Sequence, residues 1–122
     1  MANILCVDDD QDVIALKRAI LENAGHTVVS CGSVEDAVRE LSRQSYDAVV
    51  TDWRLGEESG RAIIQASQAN GNMPVVVVSG YVAEAFQAAE PLADLYLEKP
   101  VDSRELVQIL NTLLQARSAG SQ

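Results

Sequence analysis

Five short runs of apolar and β-branched residues punctuate the chain, and each is followed by a stretch with helical spacing. The runs are Asn3–Val7, Thr27–Cys31, Ala48–Thr51, Val75–Ser79 and Leu95–Glu98. Val75-Val-Val-Val-Ser79 is too apolar for a strand with one wet face and reads as covered on both sides. Between the runs, apolar residues recur at helical intervals. Val13, Leu16 and Ile20 supply an inward face for a first helix over about Gln11–Asn23, stopped by Gly25. Ser33-Val-Glu-Asp36 opens a second helix in the manner of a capping box, with Ala37, Val38 and Leu41 as its stripe to Gln44. A third is expected from about Ser59 to Asn70 through Ala62, Ile63 and Ala66, before the turn Asn70-Gly-Asn-Met-Pro74. A short fourth covers roughly Val82–Ala89 and is cut off by Pro91. The last begins near Asp102 or Ser103 and turns Leu106, Ile109, Leu110 and Leu113 inward.

Strand and helix thus alternate five times on short connections, which predicts an α/β fold: a doubly wound parallel sheet with helices on both faces. Right-handed crossovers leave few arrangements, and the flavodoxin-like strand order 2-1-3-4-5 fits five units best. In that order the C-terminal ends of the first, third, fourth and fifth strands surround one crevice.

Composition narrows the function. The 122 residues fit one domain, expected over 1–117 with a polar tail at 118–122, and 48% hydrophobic content suffices for a core. A net charge of −9 argues against nucleic-acid binding, since no basic patch offsets phosphates. No apolar run approaches a membrane span and no signal peptide opens the chain, so a cytosolic setting is expected. Cys6 and Cys31 lie in predicted strands and read as buried thiols, although neighbouring strands could bring them close. Only two lysines occur, Lys17 and Lys99, and the second stands at a strand end.

The strand ends carry the chemistry: Asp8-Asp9-Asp10, Asp52, Ser79 and Lys99. Close carboxylates repel one another unless a cation lies between them. An all-oxygen set suits Mg²⁺, which takes few protein carboxylates and favours a phosphate alongside. Lys99 as a point charge and Ser79 as a hydrogen-bond donor suit a phosphoryl group. Asp52, central among them, can act as the nucleophile that forms an acyl phosphate. Asp10 reads instead as an acidic helix start, favourable against the helix dipole. His26, after a helix-stop glycine, reads as a surface residue.

Through Val7-Asp8-Asp9, Asp52, Ser79, Tyr96 and Lys99-Pro100, in this order and on these elements, nearly the whole chain resembles the receiver domain of two-component response regulators, of the chemotaxis-regulator type. The resemblance implies a regulatory phosphoacceptor domain rather than an enzyme, with slow self-dephosphorylation at most. It implies a phosphohistidine on a sensor histidine kinase or a histidine phosphotransfer protein as donor. It further implies Mg²⁺ held by Asp9 and Asp52 with help from Asp8 and the backbone carbonyl of Arg54, and Lys99 on the phosphoryl group ahead of a usually cis Lys-Pro bond. Ser79 and Tyr96 would form a switch pair, and the fourth helix, last strand and last helix the output surface. Arg54 and Tyr81 would control how water reaches the phosphoryl group, with Glu57 and Glu58 near enough to draw the guanidinium aside. Gly56 stands where the family often has proline and Leu95 where it often has a small residue. A receiver serving as a phosphate relay or sink is an alternative. A Mg²⁺-dependent phosphatase would want an acid two residues after the nucleophile, where Arg54 stands. A flavin site would be repelled by Asp8–Asp10.

Overall fold

The computed structural model describes residues 2–71, 73–80, 82–87, 93–99 and 102–120. All five expected strands form at the expected limits: β1 (Asn3–Val7), β2 (Thr27–Cys31), β3 (Ala48–Thr51), β6 (Val75–Ser79) and β7 (Leu95–Glu98). They pair in parallel in the order β2-β1-β3-β6-β7, the flavodoxin-like arrangement. β3 and β6 are buried at every position, as central parallel strands covered by helices on both faces must be.

Two cores result, one on each side of the sheet. On one side Leu5, Val7, Val49 and Val77 meet α2 (Val34–Arg43) and α3 (Arg61–Ala69) through Ala37, Leu41, Ile63 and Ile64. On the other Ile4, Val50, Val76 and Val78 meet α1 (Gln11–Asn23) and α5 (Ser103–Gly120) through Ile14, Leu21, Leu106 and Leu110. The strand period of two sends alternate residues to opposite sides. It therefore separates the cysteines: Cys6 belongs to the second core and Cys31 to the first, although their strands are neighbours. Both are free and buried, and burial pushes each thiol up to about 11, the nearby Glu40 and Asp36 charges adding to the effect at Cys31.

Local chemistry sets the helix ends. Asp10 caps α1 by accepting the Asp12 and Val13 amides, and Gly25 follows its end at φ +96°. Ser33 caps α2 through the Asp36 amide at 3.2 Å. Asp102 accepts the Arg104 amide at the head of α5.

The structure corrects the sequence reading at four places. In α1 the inward residues are Ile14, Lys17 and Leu21, while Leu16 is 63% exposed. This helix has two stripes at helical spacing, and the one that meets the sheet carries Ile14 and Leu21 into the second core and Lys17 to Asp8. The segment after β3 is not a plain loop. β4 (Arg54–Leu55) and β5 (Glu58–Ser59) make a small antiparallel hairpin, turned by Gly56 at φ +65°, so α3 begins at Arg61 rather than Ser59. α5 runs past Ser118 to Gly120, because Ala116-Arg-Ser-Ala119 contains no helix breaker. His26 is not idle on the surface: its Nδ1 accepts the Ala2 amide and its Nε2 meets Asn111 Oδ1, each at 3.2 Å. The fourth helix, α4 (Val82–Gln87), occurs where expected; Ala89, Pro91 and Pro100 lie outside the described residues. No helix among the described residues is long and apolar enough to cross a membrane.

Candidate functional site

The parallel sheet delivers Asp8, Asp52, Ser79 and Lys99 to one edge, each at the residue after or at the end of its strand. Backbone bonds align these ends: the Asp52 amide donates to Val7 carbonyl at 3.0 Å, and the Lys99 amide to Ser79 carbonyl at 3.0 Å. The resulting edge is the crevice in which open α/β sheets carry their ligand chemistry.

Lys99 is the hub. Its Nζ donates to Asp52 Oδ2 at 2.8 Å and to Asp8 Oδ2 at 3.2 Å. Partial burial would lower the ammonium pKa, but the hydrogen bond and charge of Asp52, with those of Asp8, outweigh it and leave Lys99 raised. The other Asp52 oxygen accepts the Trp53 amide at 2.7 Å, so both oxygens of this carboxylate are oriented. Asp52 and Trp53 are both buried, and the backbone beneath them is tightly approached. A Cβ at Gly60 would lie 2.8 Å from the Asp52 carbonyl oxygen, against backbone that cannot give way.

Asp8 is 1% exposed. Burial alone would raise its pKa; the Asp10 amide on Oδ1 together with Lys17 and Lys99 on Oδ2 bring it below the usual value. Lys17 was not among the residues the sequence pointed to, although it is one of only two lysines and sits three residues after Ile14 and four before Leu21, within the buried stripe. Asp9 turns towards the hairpin, where its Oδ2 accepts the Gly56 amide at 2.9 Å. Asp10 remains a helix cap, as read from the sequence.

Ser79 is fully buried. Val77 lies opposite Tyr96 and Ser79 opposite Glu98, so Ser79 and Tyr96 belong to the same face of the sheet. The half-buried Tyr96 packs against the core on that face, and its hydroxyl accepts the Ala93 amide at 3.0 Å. The Arg54 guanidinium reaches Glu84 of α4 at 2.6 Å, an acid that the sequence reading did not single out. Glu84 also accepts a hydrogen bond from the Trp53 side chain; the Arg54 hydrogen bond is the main cause of its lowered pKa. Tyr81, expected with Arg54 to control how water reaches the phosphoryl group, lies outside the described residues.

Residues 4–111 match the family model described as response regulator receiver domain. The transcriptional regulatory protein GlrR of Escherichia coli is 30% identical over 117 residues, covering 93% of this chain but only 26% of its own length. The chain therefore spans about a quarter of that relative. Among solved structures, a response regulator receiver protein from Sinorhizobium medicae is 32% identical with a TM-score of 0.86, covering 94% of this chain and 95% of its own. The receiver domain of the sensor histidine kinase PA1611 from Pseudomonas aeruginosa, which holds a magnesium ion in its active-site cleft, is 26% identical with a TM-score of 0.84, over 93% of this chain and 98% of that one. Sheet order, strand-end chemistry and these likenesses agree: the chain belongs to the response regulator receiver domains of two-component signalling.

Proposed function

We propose that this domain is a phosphoacceptor switch in which Asp52 takes a phosphoryl group from the phosphohistidine of a sensor histidine kinase or a histidine phosphotransfer protein. The observation that carries the reading is the placement of Lys99 Nζ between the carboxylates of Asp52 and Asp8 at the sheet's C-terminal edge. A lysine so placed screens carboxylates from each other at rest and can turn to a phosphoryl oxygen when one arrives.

The step is a displacement at phosphorus. An Asp52 oxygen forms the new P–O bond as the P–N bond to the donor imidazole breaks, and the imidazole nitrogen keeps that electron pair. Asp52 gives up its carboxylate charge and gains the phosphoryl's. The Trp53 amide and Lys99 hold the nucleophile's two oxygens, so little reorientation precedes attack. Ser79 and Lys99 supply donors to the phosphoryl oxygens.

The donor set fits Mg²⁺. No three His, Cys, Asp or Glu side chains converge on one point among the described residues, but Mg²⁺ takes one or two carboxylates and keeps water elsewhere. Asp9 and Asp52 are the carboxylates that would hold it, with Asp8 and the Arg54 carbonyl assisting. When bound, Mg²⁺ offsets the charge on the phosphoryl oxygens.

Output runs through α4, β7 and α5. What supports this route is the contact of Glu84 in α4 with both residues that follow Asp52. Receiver domains are regulatory, and GlrR is named a transcriptional regulatory protein, so a partner or output domain that regulates transcription is the reading that likeness favours. Incubation with acetyl phosphate, with and without Mg²⁺, followed by intact mass tests the reading. One added phosphoryl group that requires Mg²⁺ and is absent from Asp52→Ala is the expected result. An unchanged wild-type mass, or a gain that persists in Asp52→Ala, overturns it.

A further inference from the structure

A lysine on the inner stripe of a helix is out of place by every rule of helix patterning, and Lys17 is only 6% exposed. Its methylenes line a groove with Val13, Ile20, Val78 and Leu106, and the groove also receives Lys99. The apolar walls cover the stem, and the ammonium ends on Asp8 Oδ2 at 3.3 Å. That oxygen already accepts Lys99 at 3.2 Å, while Oδ1 is taken by the Asp10 amide. Asp8 is thus the most heavily donated carboxylate of the site. Two ammonium groups share one of its oxygens.

We propose that Lys17 is a positioning residue that acts through Asp8: a fixed cation which weakens Mg²⁺ binding at the neighbouring carboxylates and frees Lys99 to serve the phosphoryl group. This rests on the phosphoacceptor reading above. Asp8 and Asp52 pair with the two lysines while Asp9, next in the chain, holds the Gly56 amide, so the site's carboxylates exceed its lysines by one rather than by the two that a single lysine would leave. A divalent cation arriving there meets a weaker attraction and an Asp8 that already accepts three donors. Like charges on one oxygen repel, so Lys17 loosens the hold of Asp8 on Lys99 while leaving the Asp52 contact at 2.8 Å intact. When Lys99 turns to a phosphoryl oxygen, Asp8 is not left as a buried, uncompensated charge, because Lys17 stays with it. Once Asp52 carries a phosphoryl dianion beside Mg²⁺, the two lysines and the metal balance Asp8, Asp9 and that dianion in full. Without Lys17 one negative charge would remain over.

The test is direct titration of Mg²⁺ into wild type, Lys17→Met, Lys17→Gln and Lys17→Arg, followed by calorimetry and by Trp53 fluorescence, with Asp9→Asn as a control. Urea unfolding of each variant establishes that it is folded. Lys17→Met and Lys17→Gln should bind Mg²⁺ more tightly by on the order of tenfold, the scale set by removing one charge near a divalent ion. Lys17→Arg, which keeps the charge, should return to wild-type affinity. Lys17→Gln guards against a fold effect, since it can still hydrogen-bond Asp8 and differs from lysine chiefly in charge. Equal affinity in wild type, Lys17→Met and Lys17→Gln would show that Lys17 only fills the groove, with the phosphoacceptor reading untouched. Absence of Mg²⁺ binding in all four, or binding that survives unchanged in Asp9→Asn, would take down the metal-site reading and this inference with it.

Discussion

Helices α1 and α2 cover opposite faces of the same sheet, and only α2 obeys the rules of a surface helix throughout. Its inward stripe is Val34, Ala37 and Leu41, and its outer face is laced by Arg39 to Glu35 and Asp36 and by Arg43 to Glu40. Propensity, cap, stripe and charges all point the same way. In α1 a lysine is turned inward and Leu16 outward. The difference is local and has a cause: α1 starts from the acidic end of β1, and its Lys17 pairs with Asp8 there. One helix is specified by packing, and the other gives up packing where it borders the site.

The largest way to break the comparison is to treat the two stripes alike. Leu41→Ala removes a side chain only 2% exposed from the α2 core and should cost about 2–5 kcal/mol in urea unfolding, with Mg²⁺ affinity unchanged. A loss below about 1 kcal/mol would mean that the α2 face is not the close-packed one.

An intermediate effect separates two carboxylates whose pKa values are both lowered. Asp8 is buried between cations at the foot of α1, whereas Glu40 is lowered mainly by the hydroxyl of Tyr46, with Gln44 next, at the rim of α2. A depressed carboxylate contributes stability that is present above its unfolded value, about 4, and is lost as pH falls through the folded value. Asp8→Asn leaves Lys17 buried and less well paired, so it should be clearly less stable than wild type at neutral pH. That gap should begin to close as the pH drops below about 4, where Asp8 of the unfolded chain takes up a proton, and close fully only below the lowered folded value. Glu40→Gln should show a smaller gap at neutral pH. Urea midpoints measured from about pH 3 to 7 decide this, and a gap for Asp8→Asn that is constant with pH would contradict the lowered pKa.

The smallest effect belongs to the outer face of α2. Arg39→Ala removes two exposed ion pairs and should change stability by no more than about 0.5 kcal/mol, less still at high salt. A larger loss would make the outer face of α2 part of its specification rather than solvent dressing.

What the sequence disclosed follows the same division. The five strands were readable to the residue because each is a compact apolar run, and Asp8, Asp52, Ser79 and Lys99 were readable as strand-end chemistry because the topology gathers those ends. The phase of α1 was not readable: Val13, Leu16 and Ile20 form an all-apolar stripe, whereas the stripe that meets the sheet contains a lysine whose partner, Asp8, lies in another element. The β4–β5 hairpin has two residues per strand, too few for any alternation to register. The bond from Arg54 to Glu84 joins residues thirty positions apart, and no local pattern encodes such a pairing.

The division of the two cysteines by the sheet has one more use. Each thiol is walled into its own core and held in the unreactive protonated form, so an alkylating reagent has no quick route to either. Labelling then becomes a clock with two hands. Modification of Cys31 records openings on the α2 and α3 side, and modification of Cys6 records those on the α1 and α5 side. If the two layers come apart together, both hands keep one rate. If the α1 side loosens first, Cys6 runs ahead, and the protein reports its weaker flank without any label being engineered into it.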